Sequence, residues 1–173
     1  MLADAARLLR AFHEATRSFD REGAVWQRPP HPGAGGDDVI CHNDFAPYNF
    51  VFTESRLTGV IDVDMASPGT RAWDLCYLAY RLVPLADPAN GDALQSSLGE
   101  RRRRLALLCA AYAGAHPVAA AGPDTLLRTA PTRLLELAAY SEARASVRPS
   151  LAEHADLYRA DAAWITANRA ALA

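Results

Sequence analysis

The chain has 173 residues, 50% of them hydrophobic, with 18 basic and 20 acidic residues and a formal net charge of -2. That length and apolar fraction suffice for one domain with a sizeable core, and they exclude a disordered or collagen-like chain. A near-neutral balance argues against nucleic acid or an anionic membrane surface as the main partner and leaves a small neutral or cationic molecule as the better fit.

Near the N-terminus Ala5, Leu8, Leu9, Phe12, Thr16 and Phe19 recur at helical spacing, with Arg7, Arg10, Glu14 and Arg17 on the other side, which predicts an amphipathic helix. The Pro- and Gly-rich stretch from Trp26 to Asp38 cannot continue it and reads as a loop. Its Pro32-Gly33-Ala34-Gly35-Gly36 run follows no strand and misses the spacing of a phosphate-cradling turn. Val39 to Cys41, Phe50 to Thr53 and Leu57 to Ile61 read as short strands, the last two joined by a turn at Glu54-Ser55-Arg56.

From Ala72 onward the pattern is helical. Arg71 to Val83 is apolar on most sides, so a buried central helix ending at Pro84 is expected. Ser97-Leu98-Gly99-Glu100 has the form of a capping box and opens a helix running to Gly114; Arg101 to Arg104 reads as its solvated face. Two further helices are predicted, about Asp124 to Val147 and Ser150 to Leu172. These helices should bury Trp73, Leu75, Leu78, Leu108 and Tyr112 against the opening helix through Leu9 and Phe12. Cys41, Cys76 and Cys109 fall singly in apolar runs without metal or redox spacing, with no signal peptide before them, and read as reduced packing residues of a cytoplasmic protein. No apolar run approaches the roughly 20 residues that span a bilayer.

The stretch His42-Asn43-Asp44-Phe45-Ala46-Pro47-Tyr48-Asn49 carries the chemistry. In the simplest hairpin register Thr53 faces Thr58, Phe50 faces Ile61, and Asn49 therefore faces Asp62. An amide oxygen and a carboxylate at one strand end suit Mg2+, which prefers oxygen and completes its shell with water and substrate phosphates. Asp44, at the other end of the loop, is placed to face a nucleophile while Asn49 faces the metal. The spacing H-N-D-x-x-x-x-N parallels the kinase catalytic loop H-R-D-x-x-x-x-N, in which Asp orients the acceptor hydroxyl, Asn holds a metal and a later Asp bridges metal to phosphates. His42 reads as a support for the loop rather than as a base.

Together with Gly59-Val60-Ile61-Asp62-Val63-Asp64, Pro68-Gly69 and Trp73-Asp74-Leu75, this stretch resembles the aminoglycoside phosphotransferase and choline kinase-like family, most strongly over Val39 to Pro84. The opening helix, with Leu8-Leu9-Arg10-Ala11-Phe12-His13, resembles the helix that precedes the catalytic loop there. The resemblance implies an α+β, mainly helical fold: a protein kinase-like C-lobe with a small catalytic-loop β-hairpin, covering 1–173 as a single domain. It implies Asp44 as the catalytic aspartate, Asn49 and Asp62 as metal ligands, and Asp74 as a structural acid at the start of the buried helix. Asp64 is a candidate second metal or substrate contact, or else a turn residue. Mg2+ and ATP are the implied cofactors, and a small molecule of the aminoglycoside kind is the implied substrate, with antibiotic resistance as one outcome.

One departure is large. Such enzymes begin with an ATP-clasping N-lobe that carries a Gly-rich loop and a phosphate-binding lysine. Here only 41 residues precede His42, and every one of the 18 basic residues is arginine. The expectation is a truncated or half-enzyme C-lobe, impaired alone, that a separate N-lobe chain or a homo-oligomer completes. The alternative is a non-catalytic binding or immunity protein that sequesters a cationic antibiotic or peptide in an acidic cleft.

Overall fold

The computed structural model describes residues 1–28, 31, 39–90, 96–115 and 121–173. It is an α+β arrangement in which helices α1 (Leu2–Ala15), α2 (Arg71–Leu82), α3 (Leu98–Ala113), α4 (Pro123–Glu142) and α5 (Ser150–Leu172) surround two small antiparallel pairs. One pair is β1 (Val39–Cys41) with β4 (Ser67–Gly69); the other is β2 (Phe50–Thr53) with β3 (Arg56–Val60). The Pro- and Gly-rich run at 32–36 lies outside the described residues.

α1 forms because Ala5, Leu9 and His13 recur every four residues, and all three are fully buried. It stops at Ala15, earlier than the apolar spacing suggests: the Thr16 hydroxyl donates to the Phe12 carbonyl, and Phe19 stays half exposed against Trp26. α2 is the hub. The Thr70 hydroxyl accepts from the Trp73 amide at 3.2 Å to cap its start, Val83 and Pro84 close its end, and all its residues except Arg71 and Arg81 are buried. Leu75 and Leu78 from α2 join Leu9 of α1, Leu108 and Tyr112 of α3, and Leu126 and Leu134 of α4 in one core. Each such leucine stabilises the fold by roughly 1.5–3 kcal/mol relative to an exposed one.

Trp73 is an exception to the expected packing. It is buried in a separate cluster with Val39 and Cys41, under the β1–β4 pair, with Arg133 of α4 over its ring. β4 itself was not legible as a strand because Pro68 and Gly69 are turn residues. Gly69 is required there: a Cβ at that position would lie 2.9 Å from the Cys41 sulfur. All three cysteines are free and buried, as expected, and burial pushes the Cys76 and Cys109 thiols up to about 12.

α3 begins at the predicted cap, where the Ser97 hydroxyl accepts from the Glu100 amide, and ends at Gly114, whose φ of 60° only glycine adopts without strain. Its arginines do not form a uniformly solvated face. Arg102 and Arg103 are exposed, but Arg101 is buried, donating to the Ala86 carbonyl at 2.6 Å and lying over the Trp164 ring of α5. An arginine that satisfies its donors on backbone carbonyls while its stem covers apolar surface is indistinguishable from a solvated one in a charge run.

The β2–β3 register also differs from the simplest one. Glu54 and Ser55 both have positive φ, 49° and 65°, which makes a two-residue turn whose twist suits a hairpin, so Thr53 pairs with Arg56 rather than with Thr58. A bulge between Val51 and Phe52 then sets Phe50 opposite Val60. The Ile61 amide donates to the Asn49 carbonyl at 3.0 Å, so Ile61, not Asp62, is the direct partner of Asn49. Asp62 follows immediately, with a φ of 65° that turns the chain out of the strand.

Candidate active site

The loop that follows β1 is mounted on one buried carboxylate. Asp74, in the first turn of α2, accepts from the His42 amide at 2.7 Å and the Asn43 amide at 3.0 Å, and its third partner is His13 Nε2 at 3.1 Å. His13 Nδ1 meets the Tyr112 hydroxyl at 2.6 Å, and that hydroxyl in turn accepts from Arg71 at 3.1 Å. The Tyr112 hydroxyl and the Asp74 carboxylate thus hold the two ring nitrogens of His13 between them. Burial alone would raise the Asp74 carboxyl, but the His13 hydrogen bond, with the charges and amides around it, outweighs burial and holds it below the ordinary value. Cys41 sulfur lies with His13 and Asp74 in a buried trio whose ligand atoms are within 4.8 Å of one another. The imidazole nitrogen and both carboxylate oxygens already serve each other and the loop amides, so the trio is a polar core rather than a metal centre.

Asn43 turns the loop with a φ of 65°, and its side-chain amide donates to the Met65 carbonyl and the Ser67 hydroxyl, both at 2.9 Å. From the other side Arg133, buried over the Trp73 and Tyr77 rings, donates to the Asn43 carbonyl at 2.7 Å. His42 ties the loop to the hairpin. Its Nδ1 accepts from the Asp44 amide at 3.3 Å and its Nε2 donates to the Ile61 carbonyl at 3.1 Å, one residue before Asp62.

Asp44 sits half-buried at the loop's turn. The Asn49 amide nitrogen donates to both the Asp44 carbonyl, at 2.9 Å, and one carboxylate oxygen, at 3.1 Å; the Tyr48 hydroxyl donates to the other. The Asn49 side-chain nitrogen serves Asp44 alone, and Asn49 Oδ1 makes no hydrogen bond among the described residues. Asp62 and Asp64 are exposed, and neither takes part in a hydrogen bond or ion pair among the described residues. One amide oxygen and an unpaired carboxylate at neighbouring positions are hard oxygen donors of the kind Mg2+ takes, so the residues fit that ion.

Beside Asp44 opens a cavity of about 600 Å3 between the loop, α2 and α5. Its walls carry Tyr48, Tyr77, Tyr80 and Tyr158, with Arg81 at one side. Burial, followed by the Asp44 hydrogen bond, raises the Tyr48 phenol well above its usual value, so it remains a donor. Asp161 of α5 also lines the cavity, but its oxygens accept from the Tyr80 hydroxyl, the Asp87 amide and the Asn90 side chain, which tie α5 to α2.

A model of the phosphotransferase enzyme family matches residues 2–108, more than half of the chain. The chain belongs to the phosphotransferase enzyme family. No curated protein and no solved structure matches it. The span matched to the phosphotransferase family runs from α1 into α3 and contains His13, His42, Asp44, Asn49, Asp62, Asp64 and Asp74. α4 and α5, which supply Arg133 and the far wall of the cavity, lie beyond it.

In this phosphotransferase family member the structure joins His42, Asp44, Asn49 and Asp74 by direct hydrogen bonds, brings Asp62 next to the residue paired with Asn49, and leaves Asp64 on the exposed strand-to-strand connection. The sequence pattern assigns no part in the site to His13, Arg133 or the cavity tyrosines, and assigns Tyr112 only a place in the core. Two of these carried a signal: His13 falls on the Ala5–Leu9 stripe of α1, and Arg133 falls on the buried Leu126–Ala130 stripe of α4. A polar side chain on an apolar stripe must find buried partners: both ring nitrogens of His13 do, whereas Arg133 does so through Nη2 alone, its Nε and Nη1 being buried without a hydrogen bond.

Proposed function

We propose that this chain is the acceptor-binding and metal-binding part, a protein kinase-like C-lobe, of an ATP-dependent enzyme that transfers a phosphoryl group to a hydroxyl of a small molecule. The observation that carries the reading is the division of labour around Asp44. Its carboxylate opens onto a cavity of small-molecule size, while Asn49 grips it and turns an oxygen away from it. Asp44 accepts the hydrogen bond of the acceptor hydroxyl, aims its lone pair, and takes the proton as the new oxygen–phosphorus bond forms and the bond to the nucleoside diphosphate breaks. The Tyr48 hydroxyl, held on the same carboxylate, marks where an alcohol binds. Asn49 and Asp62 would hold Mg2+, which neutralises charge on the transferring phosphates when bound with nucleotide. His42 keeps both halves in register, since it hydrogen-bonds the Asp44 amide and the Ile61 carbonyl.

Every basic residue being arginine, the phosphate-holding lysine of the kinase scheme has no counterpart in these residues. Oriented binding supplies up to about 7–11 kcal/mol of a barrier, so the 173 residues alone should turn over far below the roughly 1–100 per second of kinases. A separate N-lobe polypeptide should restore the rate. The test measures phosphorylated product by mass spectrometry after incubation with ATP, Mg2+ and a panel of small alcohols, with and without such a polypeptide. Slow product formation that the N-lobe accelerates and Asp44→Asn abolishes supports the reading. Product that persists in Asp44→Asn, or none even with the N-lobe present, refutes it.

A further inference from the structure

The cavity beside Asp44 contains a cation without an anionic partner. Arg81, near the end of α2, lies over the Tyr48 ring with 5.5 Å from guanidinium carbon to centroid, and over the Tyr80 ring at 5.9 Å. Among the described residues it makes no hydrogen bond and no ion pair, in contrast to Arg71, which pairs with Glu14, and Arg28, which pairs with Glu136. Arg81 is exposed, and lying over two tyrosine rings uses none of the five N–H donors of its guanidinium, whose planar fork matches a carboxylate with two parallel hydrogen bonds. Arg148 and His154 line the same cavity on the α5 side. The carboxylates that face them are committed: Asp161 already accepts three donors, and Asp44 is needed by the reacting hydroxyl.

We propose that the acceptor is a hydroxylated carboxylate, bound with its hydroxyl on Asp44 and its carboxylate on Arg81. This rests on the phosphotransferase reading for the role of Asp44, but the anion site does not depend on transfer taking place. Tyr48 sets the span, because its hydroxyl touches Asp44 and its ring supports Arg81, so the two groups of the acceptor are separated by about the length of one aromatic side chain. The tyrosine walls suit the apolar faces of a ring that carries both groups. A polycation, by contrast, would meet Arg81 and Arg148 and find no uncommitted carboxylate except the catalytic one.

Three sugars of one ring shape and different charge test this: D-glucuronate, D-glucose and D-glucosamine, titrated without ATP into the isotope-labelled chain and followed by amide chemical shifts. Glucuronate should bind about tenfold more tightly than glucose, the increment of one charge-assisted fork, with glucosamine weakest. Arg81→Gln should abolish the difference, Arg81→Lys should keep part of it, and far-ultraviolet dichroism should show both variants folded. Equal binding of the three, preference for glucosamine, no binding of any, or a preference that survives Arg81→Gln overturns the proposal. Because nucleotide is absent, failure of phosphoryl transfer with the glucuronate preference intact would sink the enzymatic reading alone, and the converse result would sink only the anion site.

Discussion

Replacing Asp74 by alanine removes the acceptor on which the loop after β1 is mounted. The side chain is fully buried and takes donors from the His42 amide, the Asn43 amide and His13 Nε2, none of which has water to turn to. Each stranded donor costs about 1–3 kcal/mol, and since donors of one network do not add, a net loss of about 3–5 kcal/mol is expected, the range for breaking a buried polar pair. Urea unfolding followed by far-ultraviolet dichroism gives the figure, and hydrogen exchange should show the His42 and Asn43 amides losing protection first. The pH dependence has a definite sign. The Asp74 carboxyl is held below its ordinary value of 3.8 in the folded chain, so its contribution is fully present above about pH 4 and fades as pH falls through the depressed folded value. The gap between native and Asp74→Asn proteins should therefore narrow in acid. A loss under about 1 kcal/mol at neutral pH, or a gap that widens in acid, would refute the argument that this carboxylate organises the loop.

Gly69→Ala places a methyl 2.9 Å from the Cys41 sulfur in the β1–β4 pair, and the strands must part to admit it. A loss of about 1–3 kcal/mol is expected, checked by the same unfolding measurement. Trp73→Ala should cost about 3–5 kcal/mol, because the ring is 2% exposed and is the platform on which Arg133 reaches the Asn43 carbonyl; a shift within the error of the unfolding midpoint would contradict that packing.

Much of this architecture is legible in the sequence because local signals and burial agree there. Ser97 with Glu100 and the Val83-Pro84 stop fix helix ends through signals whose chemistry is local. The spacing of Asp44 and Asn49 located the loop for the same reason, since both side chains act within one turn of chain. What the sequence hid depends on distant residues. His13, Tyr112 and Arg71 become a relay only when α1 and α3 meet at the foot of α2, and Arg133 supports the loop from 90 residues away. The hairpin register was missed for a subtler cause. A two-residue turn and a compensating bulge together leave Asp62 just past the pairing position, although the simplest pairing put it directly opposite Asn49. The cavity needed α5, whose pattern is amphipathic only weakly and gave no hint of a binding wall.

Under the proposed function Asn49 and Asp62 share one cation beside Asp44. Titrating Mn2+ into the isotope-labelled chain, as a paramagnetic substitute for Mg2+, tests it without any turnover. Broadening should begin at the Asn49 side-chain amide and the amides of residues 61–63, with Asp44 close behind, and either Asn49→Ala or Asp62→Ala should remove it. Broadening that starts elsewhere, or that persists in both variants, would contradict the account.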